Sequence, residues 1–286
     1  MSAEEGTRKK QLSNAFRNKI PEELLPFVPR RWWFVGDILI LSIPKELANY
    51  TKEIGLIMLK HEQKRVRTIL GKLGPTEGMI RTPSFEFLAG DPNTETIHKE
   101  LGCLFKLDAA KLIFSPGNHG ERERILKITN ENEFIIDMFA CVGNLSLPLA
   151  VHRKPVQVIA TEINPVAYNY LTENIKLNKV ENRMKAILGD NRILLKEFEG
   201  QADRVLLGYL DSDINQIQQG ICLCKKGAII HYHEATPSKA EIQNRPINRL
   251  KEAAKLENRE IKILIKKKVK KYSPGINHLV IDVQIL

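Results

Sequence analysis

The chain has little of what marks several protein classes. Its four cysteines are scattered, and the one close pair, Cys222 and Cys224, has a single residue between them. The two-residue spacing that chelates zinc or forms a redox pair is missing, so neither a metal site nor a disulfide framework is expected. No apolar run approaches the ~20 residues of a membrane-spanning helix, and no charged-then-apolar leader is visible. Both absences read as a cytoplasmic protein without a membrane partner. Low-complexity tracts and internal repeats are lacking too. Glycine is missing where it would be diagnostic. Of the three glycines of a dinucleotide-binding turn, the segment from Asp137 to Asn144 (DMFACVGN) has only Gly143, and Cys141 stands where glycine is usual.

What is present begins with charge. Lysine and arginine number 44 against 34 aspartates and glutamates, a formal net charge of +10. That balance favours a polyanionic partner, most simply nucleic acid, although ordinary soluble proteins also show it. Lys60, Lys64, Arg65, Arg67 and Lys72 fall in one short stretch, and Lys262, Lys266, Lys268 and Lys270 share one strand face if alternation by two holds. Either cluster alone also fits a solvated face.

With 286 residues the chain has room for two domains. Residues 1–30 are polar, with a short helical pattern from Leu12 to Phe16 and breaks at Pro21, Pro26 and Pro29, and read as a flexible N-terminal arm. Residues 31–111 read as a small α+β domain. It has β-rich pieces at Trp32 to Val35, Asp37 to Ser42, Val66 to Leu70, Ser84 to Leu88 and Cys103 to Lys106, and a helical period from Pro44 to Leu59. Residues 112–286 alternate strands and helices, the signature of a parallel sheet with crossover helices. Strands are expected at Glu133 to Met138, Val156 to Thr161, Met184 to Leu188, Arg204 to Gly208 and Gly227 to His231, and helices at Pro165 to Asn178 and Lys239 to Leu256. A closing antiparallel hairpin, Glu260 to Tyr272 and His278 to Leu286, completes an α/β fold of the Rossmann-like class I methyltransferase type.

The ends of these strands carry the candidate chemistry. A buried strand, a tight turn and a helix start surround Asp137 to Asn144, and Glu162 follows at the end of the second strand, placed to accept hydrogen bonds from ribose hydroxyls. A turn that does not bring backbone onto a pyrophosphate suits a nucleoside cofactor without phosphates, of which S-adenosylmethionine is the common one. Asp190 and Asn191 hold the matching place after the third strand and suit adenine: a carboxylate for the exocyclic amine, a neighbouring amide for a ring nitrogen. Ser115 and Arg122 together can hold the carboxylate of an amino-acid tail. Each also has a plainer reading as a cap, a turn or a solvated charge. His231-Tyr232-His233-Glu234 ends the fifth strand, with His231 and His233 on one face and Tyr232 and Glu234 on the other. No third imidazole or thiolate lies nearby, so the pattern is weak evidence for zinc, and His233 or Glu234 as a proton acceptor stands beside a core-facing role.

Six segments taken together carry a resemblance. They are Thr96 to Glu100 (TIHKE), Phe114 to Asn118 with Glu121-Arg122, Asp137 to Ala140, Asn174 to Asn178 (NIKLN), His231 to Glu234 and Lys271 to Gly275 (KYSPG). The chain resembles, from about residue 31 onward, the tRNA wybutosine-synthesizing protein 2 family, sister of the tRNA guanine-37 N1-methyltransferases. The resemblance implies transfer of the 3-amino-3-carboxypropyl group of S-adenosylmethionine to carbon 7 of 4-demethylwyosine at position 37 of tRNA(Phe), in its anticodon region. It also implies release of methylthioadenosine and no metal. A monomer is expected. By motif position Ser115, Arg122, Phe139, Glu162, Asp190 and Asn191 are the implied cofactor contacts. The sister family has an Asn-Pro-Pro-like segment where this chain has Leu207-Gly208-Tyr209-Leu210, and an arginine where this chain has Gly117. Both differences favour aminocarboxypropyl transfer. Methyl transfer and a non-catalytic tRNA-binding role stand as the alternatives.

Overall fold

Short β-branched and aromatic runs build the first part of the chain, and alternating strands and helices build the rest. The computed structural model describes residues 12–74, 78, 83–154, 156–239, 242 and 244–286. Two units result: residues 1–99 with 106–116, and residues 100–105 with 117–286.

The first unit opens with helical residues 12–17 (α1) and a 3-10 turn, Glu22–Phe27. Strands β1 (Trp32–Val35) and β2 (Ile38–Ser42) form a tight hairpin. A 3-10 turn, Lys45–Tyr50, runs into α2 (Thr51–Glu62), so the expected helix from Pro44 begins in a tighter winding. Strands β3 (Thr68–Lys72) and β4 (Phe85–Gly90) complete a sheet ordered β1-β2-β3-β4, in which β2 and β3 are parallel. Gly55 lets α2 lie directly on β4, because a Cβ there would stand 2.9 Å from the Leu88 backbone. Strands β5 (Glu95–Glu100) and β6 (Cys103–Asp108) make a separate hairpin whose tip, residues 100–105, counts with the second unit.

Two expectations change here. Residues 12–30 are not a flexible arm: Leu12, Phe16 and Ile20 are buried in the same apolar cluster as Leu39, Leu47, Ile54 and Met58. Their i, i+4, i+8 spacing gives α1 one apolar stripe, and burying it outweighs the nearby prolines. Residues 1–11 of the expected arm lie outside the described residues. Arg67, one of the first basic cluster, is spent inside the unit. Its guanidinium pairs with Asp37 at 2.8 Å and Asp91 at 3.2 Å and donates to the Asn93 and Glu95 carbonyls.

The second unit contains helices α3 (His119–Ile128), α4 (Leu147–His152), α5 (Pro165–Leu177), α6 (Asn191–Leu194), α7 (Ile214–Leu223) and α8 (Arg245–Leu256). Its strands are β7 (Phe134–Asp137), β8 (Gln157–Glu162), β9 (Met184–Leu188), β10 (Ala202–Leu207), β11 (Cys224–Pro237), β12 (Ile261–Ser273) and β13 (Ile276–Ile285). They form one seven-stranded sheet ordered β12-β13-β11-β10-β7-β8-β9. Strands β7 to β11 are parallel and β13 is antiparallel to both neighbours. The apolar runs of β7 and β10 are buried because helices cover both faces of such a sheet. Asn164 caps α5 by accepting from the Val166 amide at 3.0 Å, and Asp213 with Gln216 forms a capping box on α7.

The strand order reverses between β7 and β10, which sets a ligand crevice at their carboxyl ends. Beyond the last β10 pairing, Leu207 with Tyr232, β11 continues through residues 233–237, paired with β13 and through it with β12. The lysine row expected on β12 is split. Bulges between Ile263 and Ile265 and between Lys268 and Lys270 each reverse the alternation. Lys266, Lys268 and Lys271 therefore share one face, and Lys262, Lys267 and Lys270 the other. Among the described residues no helix is long and apolar enough to cross a membrane.

Candidate active site

The crevice is built by the loop leaving β7. Cys141 has φ +52° and Gly143 φ +92°, so the chain turns sharply twice before α4. The first value explains why glycine is usual at position 141: an L-residue in the left-handed region costs about 1–2 kcal/mol. The turn forms nonetheless, because the Cys141 amide, freed from any helix, donates to Glu162 Oε2 at 2.7 Å. Burial and the neighbouring Glu162 push the Cys141 thiol up to about 12, which leaves it an unreactive side chain.

Glu162 is the centre of the site. Its Oε1 accepts from the Asn164 amide at 2.8 Å, so each carboxylate oxygen holds one backbone amide and keeps lone-pair capacity for a further donor. Burial raises its pKa, against the amides of Asn164, Cys141 and Ile163. Asp137 lies beneath, fully buried. Burial pushes it up to about 6, and the Ser146 hydroxyl, the Phe139 amide and the nearby Glu162 charge set the rest.

Asn191, the first residue of α6, reaches back to the loop, its Nδ2 donating to the Met138 carbonyl at 2.8 Å. Its buried Oδ1 has no hydrogen-bond partner among the described residues. Asp190 caps α6 through the Arg192 amide at 2.9 Å, and the Arg192 guanidinium beside it holds its carboxyl below the usual range. Phe139 packs against Tyr209, ring centres 5.3 Å apart, so the post-β7 and post-β10 segments meet there. The fold thus brings Phe139, Glu162, Asp190 and Asn191 to one group of loops.

The other two expected residues come from other segments. Ser115 falls in the first unit, just before a 3-10 turn, Pro116–Asn118. Arg122 of α3 is not the open guanidinium expected. It is 1 % exposed and bound in a bidentate pair with Glu100, Nη2 to Oε2 at 3.0 Å. The partner carboxylate is 22 positions away in sequence.

Three supporting contacts explain motif residues to which no role was assigned. Asn174 Nδ2 donates to the Val142 carbonyl at 3.1 Å, and Asn178 exchanges two hydrogen bonds with the Leu104 backbone at 2.7 and 2.9 Å. Their i, i+4 spacing on α5, which puts both on one helix face, is the signal that could have found them. Thr161 Oγ1 donates to the Met138 carbonyl at 3.0 Å.

The alternation read for His231 to Glu234 is present. On one face, His231 Nδ1 and Asp282 Oδ1 are 2.7 Å apart, Arg124 holds Asp282 at 2.6 Å, and Arg204 joins His231 to Glu133. Burial lowers the His231 pKa and takes that of His233 well below the usual value. Burial works the other way on Asp282, but the His231 and Arg124 hydrogen bonds hold its carboxyl well below the usual range. On the opposite face the Tyr232 hydroxyl donates to Glu234, which also receives Arg245 at 2.7 Å and Arg249 at 2.9 Å. The buried carboxylates of both sets are hydrogen-bonded, as buried charges must be. Among the described residues no group of three His, Cys, Asp or Glu is placed to hold a metal ion.

The chain is similar to known proteins in sequence and in fold. The TRM5/TYW2 methyltransferase domain model matches residues 96–264, and the TYW2 N-terminal domain model matches residues 12–94. The chain belongs to the TRM5/TYW2 family. A relative from Pyrococcus horikoshii named tRNA(Phe) (4-demethylwyosine(37)-C(7)) aminocarboxypropyltransferase is 39 % identical, over 97 % of this chain and 97 % of its own length. The crystal structure of P. horikoshii TYW2 in complex with MeSAdo is 38 % identical and superposes with a TM-score of 0.82, over 97 % of this chain and 99 % of that one. A TRM5 relative, the tRNA (guanine(37)-N(1))-methyltransferase Trm5b of Pyrococcus abyssi, is 37 % identical over 95 % of this chain and 80 % of its own. Both branches of the family therefore align with this chain at similar identity.

Proposed function

We propose that this chain transfers the 3-amino-3-carboxypropyl group of S-adenosylmethionine to carbon 7 of 4-demethylwyosine at position 37 of tRNA(Phe), working as a monomer in the cytoplasm. The observation that carries the reading is its likeness, over nearly the full length of both chains, to the P. horikoshii aminocarboxypropyltransferase. The residues present suit the cofactor. Glu162 has capacity for ribose hydroxyls, and the Asn191 Oδ1 is a buried acceptor with nothing to accept, which a donor on the ligand would satisfy. Asp190 and Asn191 are assigned to the adenine and Phe139 to the wall beside it. Ser115 and Arg122 are assigned to the amino-acid end.

A sulfonium bears three electrophilic carbons, and the bond that breaks is the one held in line with the nucleophile. The chain's part is accordingly orientation. Gly117 and Leu207 to Leu210 stand where the methyltransferase branch has other residues, and they are the positions assigned to that choice.

The second reading, N1 methylation of guanine 37, is favoured by the 37 % identity to the P. abyssi methyltransferase. One incubation with labelled cofactor and tRNA(Phe) bearing either base separates the two. Methylthioadenosine is the expected product. Adenosylhomocysteine would replace this reading with the second, and neither product would leave a tRNA-binding protein without catalysis.

A further inference from the structure

The lysines of β12 fall three to each face of the strand, and their position relative to the crevice follows from register. Strands β7, β10 and β11 run in one direction, but β7 ends at Asp137 and β10 at Leu207, whereas β11 runs on to Pro237. Its residues 233–237, with residues 276–280 of β13 and 267–273 of β12, form a three-stranded extension beyond the ends of β7 and β10. At ~3.3 Å per residue it stands roughly 16 Å past the level from which the site loops leave.

The two faces of this extension differ in how their lysines, and Lys266 at its base, are engaged. Pairing places Lys266 opposite Ile281, Lys268 opposite Leu279 and Lys271 opposite Asn277, so the three lysines share a face, and all are exposed. None forms an ion pair among the described residues; Lys266 donates to the neutral Asn244 Oδ1 at 3.0 Å. The same register puts Glu234 on that face, yet this carboxylate is buried and already holds Arg245 and Arg249, and Arg245 is itself 42 % exposed. On the opposite face Lys267 lies 3.8 Å from Glu121. An exposed aromatic, Tyr272, follows Lys271 at the tip.

We propose that the face of the β11–β13–β12 extension bearing Lys266, Lys268 and Lys271 is a docking surface for the phosphate backbone of the tRNA, guiding the substrate nucleotide toward the crevice. This rests on the reading that tRNA is the substrate. A row of cations that begins at the rim of the site and forms no ion pair among the described residues is the charge complement of a polyanion, and an exposed tyrosine at the tip is the usual companion in single-stranded RNA recognition.

The test is the triple variant Lys266→Gln, Lys268→Gln, Lys271→Gln, beside a triple lysine-to-arginine variant as the charge-retaining control. Affinity for tRNA(Phe) is measured across a salt series, with S-adenosylmethionine binding followed by calorimetry. Removing three phosphate contacts is expected to weaken tRNA binding at least about tenfold and to flatten the slope of log Kd against log salt by about 2–3. Arginine should restore both, and cofactor affinity should be unchanged in each variant. A glutamine variant with wild-type tRNA affinity and slope, whether or not it now self-associates through its edge strand, overturns the docking surface while leaving the enzyme reading intact. Loss of cofactor affinity in that variant overturns it as well, since the lysines would then act through the fold. Wild-type protein that neither binds nor modifies tRNA would overturn the enzyme reading and this surface together.

Discussion

Asp137 is a carboxyl held where it costs stability, and replacing it with asparagine measures that cost. Burial lifts its pKa from the ordinary 3.8 to about 6. Above pH 6 the group is ionised in both folded and unfolded chains, and the folded state bears the desolvation. Between about pH 6 and pH 4 the folded chain binds a proton that the unfolded chain does not, so stability rises as pH falls through that window. A carboxyl raised this far above its ordinary value costs the folded state about 3 kcal/mol when ionised, of which about half is regained by pH 5. Asparagine has nearly the same shape, can accept from the Phe139 amide as Asp137 Oδ1 does at 3.2 Å, and carries no charge to desolvate. Asp137→Asn should therefore stabilise the cofactor-free protein by up to about 3 kcal/mol at pH 7.5, with the advantage shrinking to roughly half at pH 5. Urea unfolding at the two pH values reads both numbers. An asparagine variant that is less stable than wild type at pH 7.5, or an advantage that does not shrink on acidification, would refute the reasoning.

The other expectations concern neighbours of this group. Glu162→Ala removes the carboxylate assigned to the ribose, and two charged hydrogen bonds at ~1.5 kcal/mol each predict roughly a hundredfold loss of cofactor affinity by calorimetry; unchanged affinity would remove Glu162 from the site. Because burial raises the Glu162 pKa, cofactor affinity should fall on acidification as the carboxylate protonates, and this loss should be absent in Glu162→Gln. Cys141→Gly relieves a residue at φ +52° and should raise stability by about 0.5–1 kcal/mol in thermal unfolding, the gain reduced by the greater freedom of glycine in the unfolded chain. Asp282→Asn removes the anion beside buried His231 and one of the two carboxylates on Arg124, which keeps Glu121, and should destabilise the protein by up to about 3 kcal/mol in denaturant.

The parallel strands were legible because residues such as Phe134 to Ile136 and Val205 to Leu207 form continuous apolar runs that only a sheet covered on both faces can bury. Strand β11 is longer than the expected Gly227 to His231. Its further residues His233, Glu234 and Thr236 are polar yet buried, made tolerable by partners from α8 and β13 that no local pattern shows. The bulges of β12 were invisible for a similar reason: the extra residue is defined by its partner strand, and its own sequence is a plain run of lysines. The places of Glu162 and Asn191 at strand ends, where the loops gather, were legible from the strand pattern. The pairing of Arg122 with Glu100 was not, since an ion pair across 22 positions belongs to tertiary packing.

The two branches of the family align with this chain at similar identity, and the segment after β10 is one of the places assigned to the choice between their reactions. In this chain the segment after β10 is held from within. The Tyr209 carbonyl accepts from Ser212 Oγ at 3.0 Å, the Leu210 carbonyl accepts from the Ala235 amide at 3.1 Å, and the Ser212 carbonyl accepts from Arg249. Arg249 is fixed in turn by Glu234 and the Tyr232 hydroxyl. Acceptors committed inward contribute less to reading a base edge, and what the segment turns toward the post-β7 loop is the Tyr209 ring, packed on Phe139. A loop of this kind constrains a ligand by shape more than by hydrogen bonds. That suits a reaction in which the cofactor's amino-acid tail has to be held in one orientation and the sulfonium supplies its own leaving group. It also gives the His-Tyr-His-Glu segment a use that its chemistry alone did not suggest: through Glu234 and Arg249, the end of β11 sets the form of the loop that follows β10.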